Sequence, residues 1–273
     1  MKNPADHRAR VIGSPWPGVY FTCIESSRHF ARHWHATYGF GLLEHGAQHS
    51  ASGRGPVEAH AGDLITHNPG EVHDGRPLGG PSRRWRMVHI DPAALLSLAS
   101  QPGCSAVSDL ELTQPVIQDA RLSRAVRQLF ARVEAWREDA LACEESLVNA
   151  CGLLLTCHAT AAPLRDVDTD MKRVRDRLAD DLLAPPTLTD MAAMVGLGKY
   201  QLLRRFEKSY GIPPHAWLLL QRTERARGLI RQGASLALAA ASSGFADQSH
   251  MTRLFTRQFG FTPGAWQRAA RPQ

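Results

Sequence analysis

Histidine is the residue type most suggestive of chemistry in the first third of the chain. Ten of the thirteen histidines lie between His7 and His89. His33 and His35 are separated by one tryptophan, and His73 ends a segment rich in turn residues that begins at Gly62. Three imidazoles are enough to hold a divalent zinc or iron ion with a coordination position left open. Histidines that line a ligand pocket, or that fill the inside of a fold without any ligand, would give the same pattern, and these three interpretations stay open.

Other side chains near these histidines are suited to holding a small polar molecule. Trp34 and Tyr38 could supply apolar walls, Glu44 is the nearest glutamate after His35, and Arg76 could pair with an anionic group. The candidate ligand-binding residues are therefore His33, Trp34, His35, Tyr38, Glu44, His73 and Arg76. We predict no catalytic residue, no resident metal and no cofactor.

A second group of chemically distinctive residues lies in a sequence pattern that occurs twice near the end of the chain. Residues 188–217 read LTDMAAMVGLGKYQLLRRFEKSYGIPPHAW, and residues 236–266 read LALAAASSGFADQSHMTRLFTRQFGFTPGAW. Gly196 aligns with Gly244, and Trp217 aligns with Trp266. A repeat with a fixed period indicates one supersecondary unit used twice.

Each copy has the pattern of a helix-turn-helix unit. A short helix rich in small residues is followed by Gly196 or Gly244, where a tight turn needs positive φ, and then by a second helix. In that second helix, apolar residues four apart should face the core: Leu202 and Phe206 in the first copy, Met251 and Phe255 in the second.

The other faces of these second helices carry residue types that contact base edges and phosphates. The candidates in the first copy are Lys199, Tyr200, Gln201, Leu203, Arg204 and Lys208, and those in the second are Gln248, Ser249, His250, Arg253 and Arg257. Asp247 is placed to cap the second helix. Leu203 cannot hydrogen-bond a base, so the first copy could recognise an apolar group such as a thymine methyl.

Charge divides the chain into two halves. The formal net charge is +6, yet residues 170–273 carry 16 Lys and Arg against 8 Asp and Glu, while residues 1–169 carry 16 against 18. A basic half joined to a slightly acidic one indicates that the C-terminal half contacts a polyanion. A pair of basic helical hairpins that packs on a protein partner is the alternative.

The segment 171–266 resembles the DNA-binding domain of the AraC/XylS family of transcription regulators, in which a long helix joins two helix-turn-helix units. The signature is GFADQSHMTRLFTRQFGFTPGAW at 244–266, together with RTERARGLI at 222–230. The resemblance implies recognition helices at about 199–209 and 248–258, placed in successive major-groove segments about one helical turn, roughly 34 Å, apart. Gly198 stands where the family often has a capping serine.

Between Tyr20 and Asp91, short apolar runs alternate with Gly, Pro and Asn, which predicts the short strands of a β-barrel or sandwich. His33-Trp34-His35 and the segment GDLITHNPGEVH at 62–73 resemble the two motifs of the cupin fold, the usual sensory domain of this regulator family. In metal-binding cupins two such histidines, a glutamate soon after and a histidine of the second motif form the site. Here no glutamate lies within a few residues of His35.

From Asp119 to about Ala162 the sequence predicts two amphipathic helices that cover the barrel. Their apolar residues recur at spacings of three and four: Leu122, Val126, Leu129, Phe130, Val133 and Trp136, then Leu147, Val148, Cys151, Leu154 and Leu155. The resemblance implies that one helix also forms a two-fold homodimer interface. We predict an α+β multidomain chain: a cupin-like β-barrel with helices over 1–161, a linker over 162–169, and an all-α DNA-binding domain over 170–273.

No apolar stretch approaches the roughly 18 residues of a membrane span, and the N-terminus lacks the apolar core of a signal peptide, so we expect a cytoplasmic protein without a membrane partner. Five scattered cysteines fit reduced thiols.

The expected function is a ligand-responsive, sequence-specific transcription activator. Its expected partners are promoter DNA, a small-molecule effector, RNA polymerase and a second copy of the chain. A metal-dependent cupin enzyme with an ancillary DNA-binding domain and an effector-independent DNA-binding protein are the alternatives.

Overall fold

The computed structural model describes residues 7–99, 110–134, 136, 138–161 and 168–270. These residues form two compact units, one built mainly from the part of the chain before residue 162 and one mainly from the part after residue 167. Nearly all of the strand residues belong to the first unit, and the second is mainly helical. The predicted fold class, α+β with a cupin-like β-rich N-terminal domain and a helical C-terminal domain, is confirmed.

The N-terminal unit contains two main sheets. The larger has, in spatial order, β1 (His7–Gly13), β2 (Val19–Ser26), β9 (Arg83–Ile90), β4 (Tyr38–His45), β7 (Leu64–His67) and β11 (Val116–Ile117). The smaller has β3 (Phe30–His33), β8 (His73–Pro77), β5 (Ala47–Ser52) and β6 (Gly55–His60). A further pair consists of β10 (Leu110–Leu112) and β12 (Ala159–Ala161). Strands β1, β10, β11 and β12 lie outside the segment in which the sequence predicted strands.

The two faces of the larger sheet have different neighbours because side chains alternate along a strand. On β4, Phe40 and Leu42 are fully buried in a cluster that includes residues of the helices. Leu43, on the opposite face, packs with Met87 of β9 and with Ala59 of the smaller sheet. The second face therefore forms the interior between the two sheets, which we call the barrel interior.

Helices α1 (Pro92–Ala99), α2 (Ala120–Val133) and α3 (Ala140–His158) complete the unit. Asp119 caps α2 by accepting from the backbone N–H groups of Arg121 and Leu122. The apolar stripe predicted within α2 is buried. On α3, however, Leu147 is buried whereas Val148 is 45% exposed. The helix ends at His158, before the predicted boundary, because the chain continues into β12.

Helix α3 corrects one expectation from the sequence. Among the described residues it is the one helix long and apolar enough to cross a membrane by length and composition, with a mean hydropathy of 1.3 over its most apolar window. The window is apolar in spite of Glu144 and Glu145, which are both exposed. Leu147 and Leu154 of this helix are buried in the core of the N-terminal unit, and 33% of the apolar window is buried in all.

The C-terminal unit is built around one long helix. Its elements are α4 (Thr169–Asp180), α5 (Leu188–Met194), α6 (Lys199–Tyr210), α7 (Pro214–Arg231), α8 (Leu236–Ser242), α9 (Gln248–Phe259) and α10 (Pro263–Ala270). Helix α7 contacts α4, α6, α8, α9 and α10. Most of the predicted linker, 162–167, lies outside the described residues; its last two positions, Asp168 and Thr169, cap and begin α4.

The repeat in the sequence corresponds to a repeat of elements. The first copy consists of α5, α6 and the start of α7, and the second copy repeats this order as α8, α9 and α10. The second helix of each copy, α6 or α9, ends at a glycine with positive φ, which is 75° at Gly211 and 78° at Gly260. A proline then begins the next helix in both copies, where its missing N–H and fixed φ are compatible with the first turn.

Candidate nucleic-acid interface and histidine cluster

The turn glycines of the two helix-turn-helix units have the predicted backbone conformation, with φ of 65° at Gly196 and 81° at Gly244. Their surroundings differ. A Cβ atom added at Gly196 would have no neighbour within 4 Å, whereas one at Gly244 would lie 2.6 Å from the carbonyl oxygen of Leu182 and 2.9 Å from Arg222 Nε. The second turn therefore needs glycine for its conformation and for close packing, and the first for conformation alone.

Helix α6 presents one apolar and one polar face, as predicted. Leu202 and Phe206 are fully buried. The exposed candidates are Lys199, Tyr200, Gln201, Arg204 and Lys208, and Leu203 is half-buried. Tyr200 is 69% exposed, and its hydroxyl accepts a hydrogen bond of 3.2 Å from Arg204 Nη1. The oxygen of the Gln201 side chain accepts a hydrogen bond from the Gly198 N–H at 3.0 Å, so Gln201 stabilises the helix start that Gly198 cannot cap with a side chain.

Helix α9 has the same organisation. Met251 and Phe255 are fully buried, and Asp247 caps the helix by accepting from the His250 N–H at 2.7 Å. The candidates Gln248, Ser249, Arg253 and Arg257 are exposed. His250 is half-buried, with its ring 5.5 Å from that of Phe245 in an edge-on arrangement. The first turn of α9 therefore presents side chains that can donate to or accept from base edges.

Two other arginines of this unit form contacts within it. Arg205 pairs with Asp168 at 2.9 Å, at the start of α4. Arg227, which is 7% exposed, pairs with Glu224 at 2.8 Å, and its carbonyl oxygen accepts from Trp266 Nε1 at 2.9 Å. These contacts hold the helices together, whereas the basic residues named on α6 and α9 are left exposed.

The three histidines singled out from the sequence lie close together. Ring nitrogens of His33, His35 and His73 lie within 4.8 Å of one another. His33 and His35 are 8% and 7% exposed. The Nδ1 atom of His73 lies 2.9 Å from the carbonyl oxygen of Glu71, to which it can only donate, so the neutral ring keeps its lone pair on Nε2. Burial lowers the pKa of His73.

Two further histidines, which the sequence analysis did not select, belong to this cluster. The ring of His67 lies 4.9 Å from that of His35 and 5.1 Å from that of His73, and the ring of His89 lies 5.7 Å from that of His67. Strand register explains why both rings lie in the cluster. Gly39 of β4 is paired with His67 on one neighbouring strand and with His89 on the other. A Cβ atom at Gly39 would lie 1.9 Å from His67 Cε1, so this glycine makes room for the ring.

The cluster has the donor set of a divalent transition-metal site. Neutral imidazole nitrogens suit zinc, iron, nickel and copper. His89 is oriented by neighbours of its own, since its Nε2 lies 3.1 Å from Thr22 Oγ1 and its ring stacks on that of Tyr20 at 4.5 Å. The ring centres of His35, His67 and His73 lie 4.9 to 5.5 Å apart.

Three of the predicted ligand-binding residues lie elsewhere. The Tyr38 hydroxyl donates to the carbonyl oxygen of Leu110 at 2.5 Å, and its ring belongs to the core shared with the helices. Glu44 forms ion pairs with Arg84 and Arg86. Arg76 is exposed, next to the buried Gly75. A shift of one residue along a strand reverses the face, so proximity in sequence did not bring these residues to the histidines. Trp34 is buried, at 5% exposure.

The comparisons with known proteins agree with this architecture. A family model described as "Helix-turn-helix domain" matches residues 191–269, and one described as "AraC-like ligand binding domain" matches residues 18–150. The uncharacterised HTH-type transcriptional regulator YbfI of Bacillus subtilis (strain 168) is 28% identical over 225 residues, 81% of each chain. The transcriptional activator NphR of a Rhodococcus species is 33% identical over 118 residues, 43% of this chain and 34% of its own.

A solved structure of similar fold is that of ToxT from Vibrio cholerae O395. It covers 98% of this chain and 99% of its own, with a TM-score of 0.54 and 14% identity. At that identity the likeness concerns the fold alone.

Proposed function

The chain belongs to the AraC/XylS family of transcription regulators, with an N-terminal cupin-like domain, and from this premise we propose that it binds promoter DNA through α6 and α9. The observation that supports the proposal most strongly is the pair of matched helices. Each buries two apolar residues against its unit and leaves exposed polar and basic side chains, on a half of the chain that carries the excess positive charge. Exposed Arg and Lys neutralise phosphates, and Gln, Ser and Arg hydrogen-bond base edges.

The two helices are proposed to contribute unequally to sequence recognition. Helix α9 presents Gln248, Ser249 and Arg253 around its first turns, whereas on α6 the Gln201 oxygen is engaged at the helix start and Leu203 is apolar. We expect α9 to specify more bases than α6, which makes the DNA site of one subunit directional.

The proposed trigger is a small molecule bound in the N-terminal unit. One ToxT structure, from strain SCE256, is described as bound to an unsaturated fatty acid, which shows that a protein of this fold accepts a small organic ligand. In this chain the proposed binding region is the barrel interior. An effector changes DNA occupancy only if it binds the two states of the regulator with different affinity.

We further propose that the protein is a homodimeric, cytoplasmic activator that recruits RNA polymerase. The description of NphR as an activator supports that outcome. The exposed face of α3 is the proposed two-fold contact, since Leu141 and Val148 are 67% and 45% exposed there. Apolar side chains seven residues apart lie on one side of a helix and can pair with the same residues of a second copy.

The test of the regulator assignment is to sequence genomic DNA that is recovered with the full-length protein, in parallel with an Arg253→Ala variant. We expect a few promoter-proximal peaks that share one asymmetric motif, with weaker enrichment for the variant. Uniform coverage of the genome by both proteins would overturn the proposal of sequence-specific binding. The genes beside the peaks would point to the effector.

The histidine cluster supports a second candidate effector, a divalent transition-metal ion held by His35, His73 and either His33 or His67. With His67 as the third ligand, a bound ion would join β7 of the larger sheet to β8 of the smaller one. Titration of the purified chain with Co²⁺ should give ligand-field absorption with one ion per chain, reduced in a His73→Phe variant and unchanged in a His60→Phe variant, in which an exposed histidine is replaced. The absence of such bands in the wild-type chain would rule out this candidate.

A further inference from the structure

Arg83, at the start of β9, is a charged side chain placed inside the N-terminal unit. It is 2% exposed. Its Nε donates to Gln48 Oε1 at 3.1 Å, and its Nη1 donates to the carbonyl oxygen of Arg28 at 3.2 Å. The guanidinium carbon lies 4.8 Å from the ring centre of Trp85 and 5.7 Å from that of Phe30. Burial lowers the pKa of Arg83 to about 10, so the group is still charged at neutral pH.

Within the described residues, no carboxylate forms an ion pair with Arg83. Two other arginines of this unit behave differently, although they are less buried. Arg54 forms two hydrogen bonds with the carboxylate of Glu71, at 2.9 and 2.7 Å, and Arg86 pairs with Glu44. A buried charge is costly unless it is paired. Of these three guanidinium groups, the most deeply buried one therefore lacks, among the described residues, the counter-ion that the other two possess.

The position of Arg83 shows which side of the sheet it faces. Arg83, Trp85 and Met87 alternate along β9, and Met87 packs in the barrel interior with Ala59 of the smaller sheet. Across from Arg83 lies Gly75 of the smaller sheet, where an added Cβ atom would be 3.1 Å from Arg83 Nη2. The Nη2 group thus faces a position without a side chain, and within the described part of the chain neither of its two N–H groups forms a hydrogen bond, so both can donate to a ligand.

This site is separate from the histidine cluster. Arg83 and His89 are six residues apart on β9, about 20 Å along an extended strand, with the apolar Met87 between them. The chemistry also differs, since imidazoles suit a metal ion or a polar neutral group, whereas a guanidinium matches the two oxygens of a carboxylate. A guanidinium that lies beside two aromatic rings, and that has no carboxylate partner among the described residues, is suited to a carboxylate carried by an apolar body.

We propose that Arg83 binds the carboxylate of a small organic anion in the barrel interior, and that this anion is the effector. The second part of the inference rests on the proposed function, because only a regulator has an effector. The bound carboxylate supplies the counter-ion that the described residues lack, and Phe30 and Trp85 contact the apolar part of the ligand.

The experiment measures binding of sodium acetate and sodium benzoate to the full-length chain by calorimetry and by thermal shift, against sodium chloride at equal ionic strength. We expect both carboxylates to bind, benzoate more tightly, and Arg83→Met to weaken binding by about tenfold or more, the equivalent of about 1.4 kcal/mol for one charge-assisted contact. Arg84→Met is the matched control, since Arg84 is the next residue and its side chain is 52% exposed. It should bind as the wild type does.

A second variant guards against loss of folding in Arg83→Met. Gly75→Ala keeps the charge but crowds Nη2, and we expect weaker binding of benzoate with unchanged circular dichroism. Equal affinity of the wild type, Arg83→Met and Gly75→Ala for both carboxylates, or no binding by the wild type, would overturn the proposal. Binding of sodium phosphate in preference to benzoate would overturn the assignment to an organic carboxylate.

Binding of a fluorescein-labelled DNA duplex by the same preparations separates the two proposals. A wild-type chain that does not bind DNA contradicts the proposed function, whatever the carboxylates do. A chain that binds DNA but shows no Arg83-dependent binding of either carboxylate contradicts only the site described here.

Discussion

The comparison of Gly196→Ala with Gly244→Ala tests how the two helix-turn-helix units differ. Both glycines occupy the turn between the two helices of a unit, and both have positive φ. Only Gly244 lies against other atoms of the unit, the carbonyl oxygen of Leu182 and the guanidinium of Arg222. Arg222 Nε donates to that carbonyl at 2.8 Å, so these two neighbours are fixed to each other.

The expected magnitudes follow from this difference. An alanine with left-handed backbone angles costs about 1–2 kcal/mol relative to the right-handed region. A methyl group forced to within 2.6 Å of a backbone oxygen adds a packing cost of about 1–3 kcal/mol. We therefore expect Gly196→Ala to lower the local free energy of unfolding by about 1–2 kcal/mol, and Gly244→Ala by about 2–5 kcal/mol.

Amide hydrogen exchange on the full-length chain is the appropriate assay because it reports each unit separately. Where exchange follows local opening, each 1.4 kcal/mol lost speeds it about tenfold. Gly244→Ala should speed exchange in peptides of α8 and α9 clearly more than Gly196→Ala does in α5 and α6. Equal increases in exchange rate in the two variants would refute the role assigned to the contact with Leu182. Unchanged exchange rates in both variants would refute the requirement for glycine at these positive φ angles.

The exposed basic residues should differ in what they contribute to DNA binding. Arg253→Ala is expected to reduce the binding free energy at the cognate site by about 1–3 kcal/mol and to relax the preference for one base there. Lys208→Ala should weaken binding to all duplexes alike and reduce the salt dependence of binding. Salt titrations on cognate and unrelated DNA check this, and identical behaviour would contradict it. Asp247→Ala removes the cap of α9 and should cost about 1 kcal/mol, visible as faster hydrogen exchange confined to that helix. Burial raises the pKa of Glu71, but the hydrogen bond and charge of Arg54 outweigh it, so the pKa is lowered. The Arg54–Glu71 pair therefore contributes its full stabilisation of the folded chain at pH values above the unfolded-state pKa of Glu71, about 4.3. This stabilisation is lost as the pH falls through the lower, folded-state pKa. The stability difference between wild type and Arg54→Met, measured by denaturant titration, should shrink below that pH, and a constant difference would argue against the pair.

Much of the DNA-binding unit was predictable because its signals are local. Helical periodicity identified Leu202, Phe206, Met251 and Phe255 as core residues, and all four are fully buried. The turn glycines and the Asp247 cap could be recognised from residue type and position alone. The packing of Gly244 against Leu182 could not, since more than sixty residues separate them in the sequence and only the fold brings them together.

The barrel interior was less predictable because strand register decides which side chains meet there. The sequence identified His33, His35 and His73, which do converge, but it gave no reason to add His67 and His89. It also placed Tyr38 and Glu44 in the candidate site, although both side chains have partners elsewhere.

The sequence by itself determined the class of protein, the two-unit organisation and the polar faces of α6 and α9, since a helix sets its own faces through its period. Only the tertiary structure decided what the barrel interior contains. Strands from distant parts of the chain pair there, and one residue of register moves a side chain from the interior to the opposite face. That is why Arg83, an ordinary arginine in a run of basic residues, is found buried beside Phe30 and Trp85 without a carboxylate partner among the described residues.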